Sequence, residues 1–398
     1  MSRSENEPPR FILLLPPAPT ASDSDLINGV YGDSLRQVLK EVALASREHK
    51  KAAILEIALA CPHLVAQTDG KPFSRYDETQ RVLAQTYRLA CIIAARDKIN
   101  VEDTDGVDVR VLLVAWDERS SGQPKPFGMI PSLGDLAASQ RQWQYAFGVE
   151  NEAGEAMVRA FVQAKNGASK STNTSDAQIG QAYSRQSPQG RIPCVAVGGT
   201  FDHLHIGHKL LLTMTVFAVL DKEIDTRTDR SVIVGITIDD LLKNKKFAEH
   251  LESWHDRQKA VFDFVEAIVD FGPSGSQAPS GKEVSSPGPN GHAINTSFFN
   301  GLYLRCVEIG DPFGPTITER DIDALIISAE TRSGGKAVND KRVEQGWHLL
   351  EVLEVDVLDA GESTDATSNA TQAQDFAGKI SSTEIRRKLT NKSHPSVL

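Results

Sequence analysis

One fifteen-residue stretch limits the fold more than any other: Val195-Ala196-Val197-Gly198-Gly199-Thr200-Phe201-Asp202-His203-Leu204-His205-Ile206-Gly207-His208-Lys209. Its first part is apolar with no polar alternation, which reads as a strand buried on both faces. The glycine pair ends that strand in a turn, and a helix opens at His-x-Gly-His. A buried strand of this kind sits inside a sheet whose neighbours arrive by crossover helices, so the stretch calls for an α/β domain.

The same residues carry chemistry. Glycines after a central strand let backbone N–H groups come close to a phosphate, and the helix N-terminus adds its positive dipole end. A glycine pair alone is an ordinary tight turn, and one histidine alone is an ordinary core or surface residue. His205 and His208, three apart and so on one helix face, change the balance. Two imidazoles beside a glycine turn are donors for phosphate oxygens. Zinc is the weaker reading, because a third protein ligand is needed and the spacing is not that of His-Glu-x-x-His.

With 398 residues the chain has room for two cores. Strands at Phe11–Leu15, Ala53–Leu59 and Val109–Trp116 alternate with helical periods: one capped at Asp33 or Ser34, one from Ser74 to Ala95, then Leu133–Phe147 and Gly154–Lys165. Residues 1–165 therefore form a smaller N-terminal α/β domain without a chemical motif. Residues 166–190 are polar and read as a linker. Residues 191–398 form the motif-bearing domain, with disordered insertions expected near 272–295 and 360–375. The order of its elements is that of a Rossmann-like, doubly wound parallel sheet, whose ligands lie at the carboxyl ends of the strands.

A net charge of −10 argues against a general nucleic-acid binder. Cys61, Cys91, Cys194 and Cys306 are scattered in apolar contexts, as buried thiols in a reducing compartment are. The apolar run at Phe11–Leu15 is too short for a signal peptide or a membrane span, so the expectation is a cytoplasmic protein.

Three further clusters stand at strand ends. Lys243, Lys245 and Lys246 would ordinarily be a solvated face, but their place after a central strand suits a phosphate clamp. Glu330-Thr331 with Gly334-Gly335 is a weak pattern by itself. Ser381-Ser382-Thr383 offers hydroxyls and free N–H groups at a helix start, with Arg386 one turn on. No P-loop is present: Gly281-Lys282-Glu283 and Gly335-Lys336-Ala337 lack the Ser or Thr that must follow the lysine.

Gly199-Thr200-Phe201-Asp202 with His205-Ile206-Gly207-His208 resembles the signature of the HxGH nucleotidyltransferase superfamily. Class I aminoacyl-tRNA synthetases share His-Ile-Gly-His, but their Lys-Met-Ser-Lys-Ser motif is absent. Within the superfamily the chain resembles the eukaryotic and archaeal type of phosphopantetheine adenylyltransferase, from Pro193 to Leu389. Five ordered segments carry the resemblance. After the signature come Val234-Gly235-Ile236-Thr237 leading to Lys243-Asn244-Lys245-Lys246, then Asp311-Pro312-Phe313-Gly314-Pro315-Thr316. Ser328-Ala329-Glu330-Thr331 follows, and Ile380-Ser381-Ser382-Thr383-x-Ile385-Arg386 ends the set. Cytidylyltransferases end in a different motif, Arg-Thr-Glu-Gly-x-Ser-Thr-Ser.

The resemblance implies adenylyl transfer from ATP to 4′-phosphopantetheine. His208, Lys245 and Lys246 would be catalytic. Gly199, Thr200, Phe201, His205, Ser381, Ser382, Thr383 and Arg386 would bind ATP, and Thr237, Lys243, Glu330 and Thr331 the acceptor. Magnesium would arrive with ATP. The rivals are another nucleotidyltransferase, using CTP or a nicotinamide or flavin precursor, and a scaffold that gathers coenzyme A pathway enzymes through its N-terminal domain.

Overall fold

The computed structural model describes residues 7–18, 24–65, 73–101, 106–119, 130–171, 193–220, 229–272, 278–288, 290–356 and 381–393. The N-terminal half runs β1 (Arg10–Leu15), α1 (Ser24–His49), β2 (Ala53–Ala60), α2 (Phe73–Arg96), β3 (Val107–Val114), α3 (Leu133–Ala138), β4 (Ala146–Gly148) and α4 (Glu152–Ser171). Its four strands pair in parallel in the order β3-β2-β1-β4. The period of two in β1 assigns its faces: Phe11, Leu13 and Leu15 join the core with α1 and α2, while Ile12 and Leu14 join the core with α3 and α4.

Three expectations change here. α1 starts about two turns before Asp33, because Ile27 and Tyr31 extend the buried stripe of Leu35, Val38 and Val42. The helix expected over 133–147 stops at Ala138. Ala146–Gly148 is instead an edge strand on β1, with Ile12 N donating to Tyr145 O (3.1 Å) and Gln144 N to Arg10 O (2.8 Å). α4 continues to Ser171, so the expected linker begins inside a helix; residues 172–192 lie outside the described residues.

The C-terminal half runs β5 (Cys194–Gly199), α5 (Ile206–Leu220), β6 (Arg230–Thr237), α6 (Trp254–Val269), β7 (Ser280–Ser285), β8 (His292–Ser297), β9 (Leu302–Ile309), β10 (Ala324–Ser328), α7 (Arg332–Glu344), β11 (Glu351–Val355) and α8 (Ser382–Ser393). The sheet order is β11-β10-β5-β6-β9-β8-β7, parallel from β11 to β9. The insertion expected to be disordered near 272–295 contains β7 and β8, an antiparallel hairpin that pairs onto β9 and buries Ala293 and Thr296. The second insertion, near 360–375, lies outside the described residues.

After β5 the chain moves outward through β6 and β9, then returns to β5's other side for β10. The β5/β10 boundary is thus the switch point of the sheet, and a crevice opens there at the strands' carboxyl ends. Helix α5 starts at that crevice. It is buried nearly all round, from Ile206 to Leu220, because the N-terminal half covers the face that a surface helix would give to water. Tyr76 of α2 packs on Phe217 (centroids 6.2 Å), and Val111 and Leu113 of β3 face Val216 and Leu220. One contiguous apolar core therefore runs through both halves. No helix among the described residues is long and apolar enough to cross a membrane.

Candidate active site

The site is built on a strained loop. Phe201 and His203 have φ of 53° and 45°, a left-handed conformation that costs a side-chain-bearing residue on the order of 1–3 kcal/mol. Neighbours over-determine both. The Phe201 ring is fully buried and lies so near Gly199 that a Cβ there would stand 3.0 Å from it, which explains the glycine. His203 N donates to the Glu252 carboxylate (2.6 Å), and its Nε2 donates to His250 O (2.8 Å). Glu252 N in turn donates to Asp202 Oδ1 (3.0 Å).

The far end of the chain closes on this loop. Ser382 Oγ donates to Asp202 O (2.7 Å), and Arg386 pairs with the fully buried Asp202 carboxylate. Arg386 Nε also donates to Lys246 O (3.0 Å) and Nη2 to Thr383 Oγ1 (3.2 Å). Ser381 accepts Glu384 N on its Oγ (3.2 Å) and caps α8. The guanidinium expected to meet phosphates is thus enclosed and braces two loops. Thr237 Oγ1 donates to Gly199 O (3.2 Å), tying β6 to the glycine turn.

Arg257 in α6 was not foreseen. It is fully buried and donates to Thr200 O (2.7 Å), Glu252 O (3.0 Å), Thr237 O (2.9 Å) and Asp239 Oδ1 (2.5 Å). A signal existed: Arg257 falls on the apolar stripe of Val261, Phe264 and Val265. A charge on such a stripe needs buried partners. Here most of them are loop carbonyls, which no sequence pattern reveals.

His205 and His208 stack at 3.9 Å with rings 21° apart. Phe201 closes the other side of His208 at 5.4 Å. Gly207 leaves room for this pair, since a Cβ there would stand 3.2 Å from the His205 ring. The Nδ1 atoms of both rings are buried and have no hydrogen-bond partner among the described residues. Burial, with the charges of Lys209 and His203, pushes His205 down to about 4. Burial and His205 press His208 well below the ordinary imidazole value. Both rings are neutral at physiological pH, and each offers one N–H donor.

The remaining expected residues sit less tightly. Lys243 is exposed and paired with Asp240 (2.6 Å). Lys245 and Lys246 are exposed beside the Arg386 brace. Glu330 and Thr331 follow β10, where Thr331 Oγ1 donates to Ser328 O (3.1 Å). The parallel register of Ile326 beside Val197 sets them across the crevice from Gly199 and Thr200. No group of three metal-ligating side chains gathers among the described residues.

Comparisons with known proteins describe the two halves separately. Residues 196–388 match a family model described as Cytidylyltransferase-like, and residues 1–183 match one described as a domain of unknown function (DUF8446). The chain is 35% identical over 194 residues to the uncharacterized protein C1F12.08 of Schizosaccharomyces pombe, covering 49% of this chain and 47% of that one. It is 33% identical over 201 residues to a protein of Saccharomyces cerevisiae named phosphopantetheine adenylyltransferase, covering 50% of each. A Pyrococcus abyssi protein of the same name is 29% identical over 164 residues, 41% of this chain and 78% of that one. The matched stretch spans about half the length of the two yeast relatives. The C-terminal half of this chain is therefore a cytidylyltransferase-like nucleotidyltransferase domain that resembles the phosphopantetheine adenylyltransferases.

Proposed function

We propose that this domain transfers the adenylyl group of ATP to 4′-phosphopantetheine, giving dephospho-coenzyme A and pyrophosphate, a late step of coenzyme A synthesis. The observation that carries the reading is the junction of Ser382 and Arg386 with Asp202, across 180 residues of sequence. It places the Ser-Ser-Thr helix start, which resembles the adenylyl rather than the cytidylyl motif, beside the His-x-Gly-His crevice. The relatives named phosphopantetheine adenylyltransferase support the same choice.

In this reading a phosphate oxygen of the acceptor attacks the α-phosphorus of ATP in line. The bond to the bridging α,β-oxygen breaks, and pyrophosphate leaves. A phosphate dianion needs little help from a base, so the protein's work is positioning and charge stabilisation. The neutral His208 donates its N–H to an α-phosphate oxygen as charge builds there. His205 stacks on it and fixes its plane. The Gly199–Phe201 backbone seats the phosphates, and the N–H groups of Ser382 and Thr383 at the start of α8, ahead of the capped Glu384 N–H, face the β- and γ-phosphates. Lys245 and Lys246 bridge donor and acceptor phosphates, and Thr237, Glu330 and Thr331 border the acceptor. Magnesium travels with the ATP phosphates. The described residues form no cage for it, and the Asp202 carboxylate is spent on Arg386, so no step is assigned to the ion.

The test is pyrophosphate release with ATP or CTP against a panel of acceptors. Turnover with ATP and 4′-phosphopantetheine is the expected result. Turnover only with CTP, or only with nicotinamide or flavin mononucleotide, overturns the assignment.

A further inference from the structure

Helix α5 carries a lysine directly after its catalytic histidine, and that lysine points away from the crevice. Lys209 Nζ is buried against the N-terminal half, donating to Asp108 Oδ1 (2.5 Å) and Val109 O (3.0 Å) of β3. Its backbone N donates to His205 O (3.0 Å), closing the turn that holds both imidazoles. Asp108 is shared. Its Oδ2 accepts from Arg110 Nε (2.8 Å) and Nη2 (2.6 Å), and Arg110 Nη1 reaches Asp263 O of α6 (3.4 Å). Further along α6, Arg141 donates to Ala267 O and to Asp270 O (3.0 Å), and it is itself held by the buried Glu56 (2.9 Å).

The two helices touched this way are the two that organise the site. α5 begins with His205 and His208, and Arg257 near the start of α6 gathers the Thr200, Thr237 and Glu252 carbonyls. We propose that Asp108 of the N-terminal half is a positioning residue for nucleotidyl transfer, acting through Lys209 on His205 and His208. This rests on the reading of His208 as the transition-state donor. Burial alone would raise the Asp108 carboxyl, but Arg110 and Lys209 outweigh it and hold it well below the usual carboxylate range. Asp108 is thus a fixed anion. It holds the Lys209 ammonium against β3, and because the Lys209 backbone N–H is bonded to His205 O, it sets the first turn of α5 in rotation. The N-terminal half, in which the sequence shows no chemical motif, becomes part of the catalytic frame.

Three variants of the full chain test this: Asp108→Asn, the double variant Asp108→Asn with Lys209→Met, and Lys209→Arg. Asp108→Asn keeps an amide oxygen for Arg110, which also retains Asp263 O. Removing the Lys209 ammonium together with the Asp108 charge avoids stranding a buried cation, so the double variant is expected to fold even where Asp108→Asn does not. Two readouts are taken on folded protein. One is kcat against KM for ATP. The other is the set of histidine ring C–H signals in NMR, which needs no substrate. The expected result for the double variant is shifted His205 and His208 signals, with kcat down about tenfold to a hundredfold and KM within about twofold. Lys209→Arg, which keeps the ion pair, stays near wild type in both. A double variant that folds with unshifted ring signals and wild-type kcat overturns the proposal. Wild-type protein that turns over no 4′-phosphopantetheine would refute the functional reading instead, and the ring signals would still decide whether Asp108 acts on the histidines.

Discussion

The molecule contains two doubly wound sheets, the first all parallel and the second parallel from β11 to β9, and only the second has a glycine turn after its switch-point strand. Each has a strand at its switch point, β1 in the first half and β5 in the second. The two strands lead into different residues. β5 runs into Gly199-Thr200, which keep their N–H groups and allow close approach. β1 runs into Pro16-Pro17, which have no N–H to give, and the Tyr31 hydroxyl occupies the Pro16 carbonyl (2.5 Å). Buried charge obeys the same division. Glu56 is fully enclosed and bonded to Arg10, Arg141 and Trp143, so it only holds structure. Asp202 and Arg257 are also enclosed, but they tie together the segments around the crevice: Asp202 bonds Glu252 N and Arg386, and Arg257 bonds the Thr200, Thr237 and Glu252 carbonyls. A doubly wound sheet offers a crevice for topological reasons; the two residues after its switch-point strand decide whether an anion can use it.

The comparison breaks most visibly at the buried charges. Arg386→Met strands the Asp202 carboxylate at zero exposure, and a loss of about 3–5 kcal/mol in urea unfolding is expected. Arg141→Met leaves Glu56 with Arg10 and Trp143, so a loss of about 1–3 kcal/mol is expected there. Equal losses would mean that the Asp202 brace is not special. The next effect comes from pH. His205 titrates near 4 when folded against an ordinary 6.5, so the unfolded chain binds the proton first as pH falls. The stability it supplies is complete above pH 6.5 and declines down to about pH 4, by on the order of 3 kcal/mol. His205→Asn should flatten that acid limb in unfolding curves taken at pH 7, 5 and 4.

Slightly smaller in free energy, but decisive for function, is His208→Ala. Turnover, measured at a temperature where circular dichroism shows the variant folded, should fall by about a hundredfold or more. His63, at the carboxyl end of β2 and bonded to Thr79 (2.8 Å), is its counterpart in the first half. His63→Ala should leave turnover of the folded protein at the wild-type value. An equal drop in both would place chemistry in the N-terminal half and end the distinction.

Much of the working half was legible because its signals are local. A buried strand, a glycine turn, a histidine pair and the serines at the start of α8 each depend on neighbours in sequence. What escaped depends on distant partners. α5 showed an apolar stripe, and its burial on all sides needed β3 and α2 as a cover. Arg257 and Lys209 lie on buried helix faces, and their acceptors come from other elements. The Gly/Pro/Ser-rich segment before β9 carried no strand composition, yet its backbone pairs with β9 in register from Ala293 to Ser297. Residues 144–147 had helical texture, and the open edge of β1 drew them into a strand. Tertiary hydrogen bonding overrode propensity in both places.

The finest distinction lies within the lysine cluster, where residue spacing alone does not separate Lys243 from Lys245 and Lys246 and only the resemblance gives them different roles. Lys243 is neutralised by Asp240 three residues earlier and stands 71% exposed. An ammonium already paired in water gains little by moving to a phosphate. Lys246 lends its carbonyl to Arg386, which fixes the backbone of residues 245–247 relative to α8 and the Asp202 loop. Lysines on that pinned segment reach the crevice from a defined starting point, whereas Lys243 would have to abandon its partner. Lys243→Ala should therefore change kcat/KM by less than about threefold, and Lys245→Ala or Lys246→Ala by about tenfold or more. Steady-state kinetics with ATP and 4′-phosphopantetheine separates them. A larger effect at Lys243 would show that the Asp240 pair opens when phosphates bind, and the clamp would then begin one turn earlier than the free fold places it.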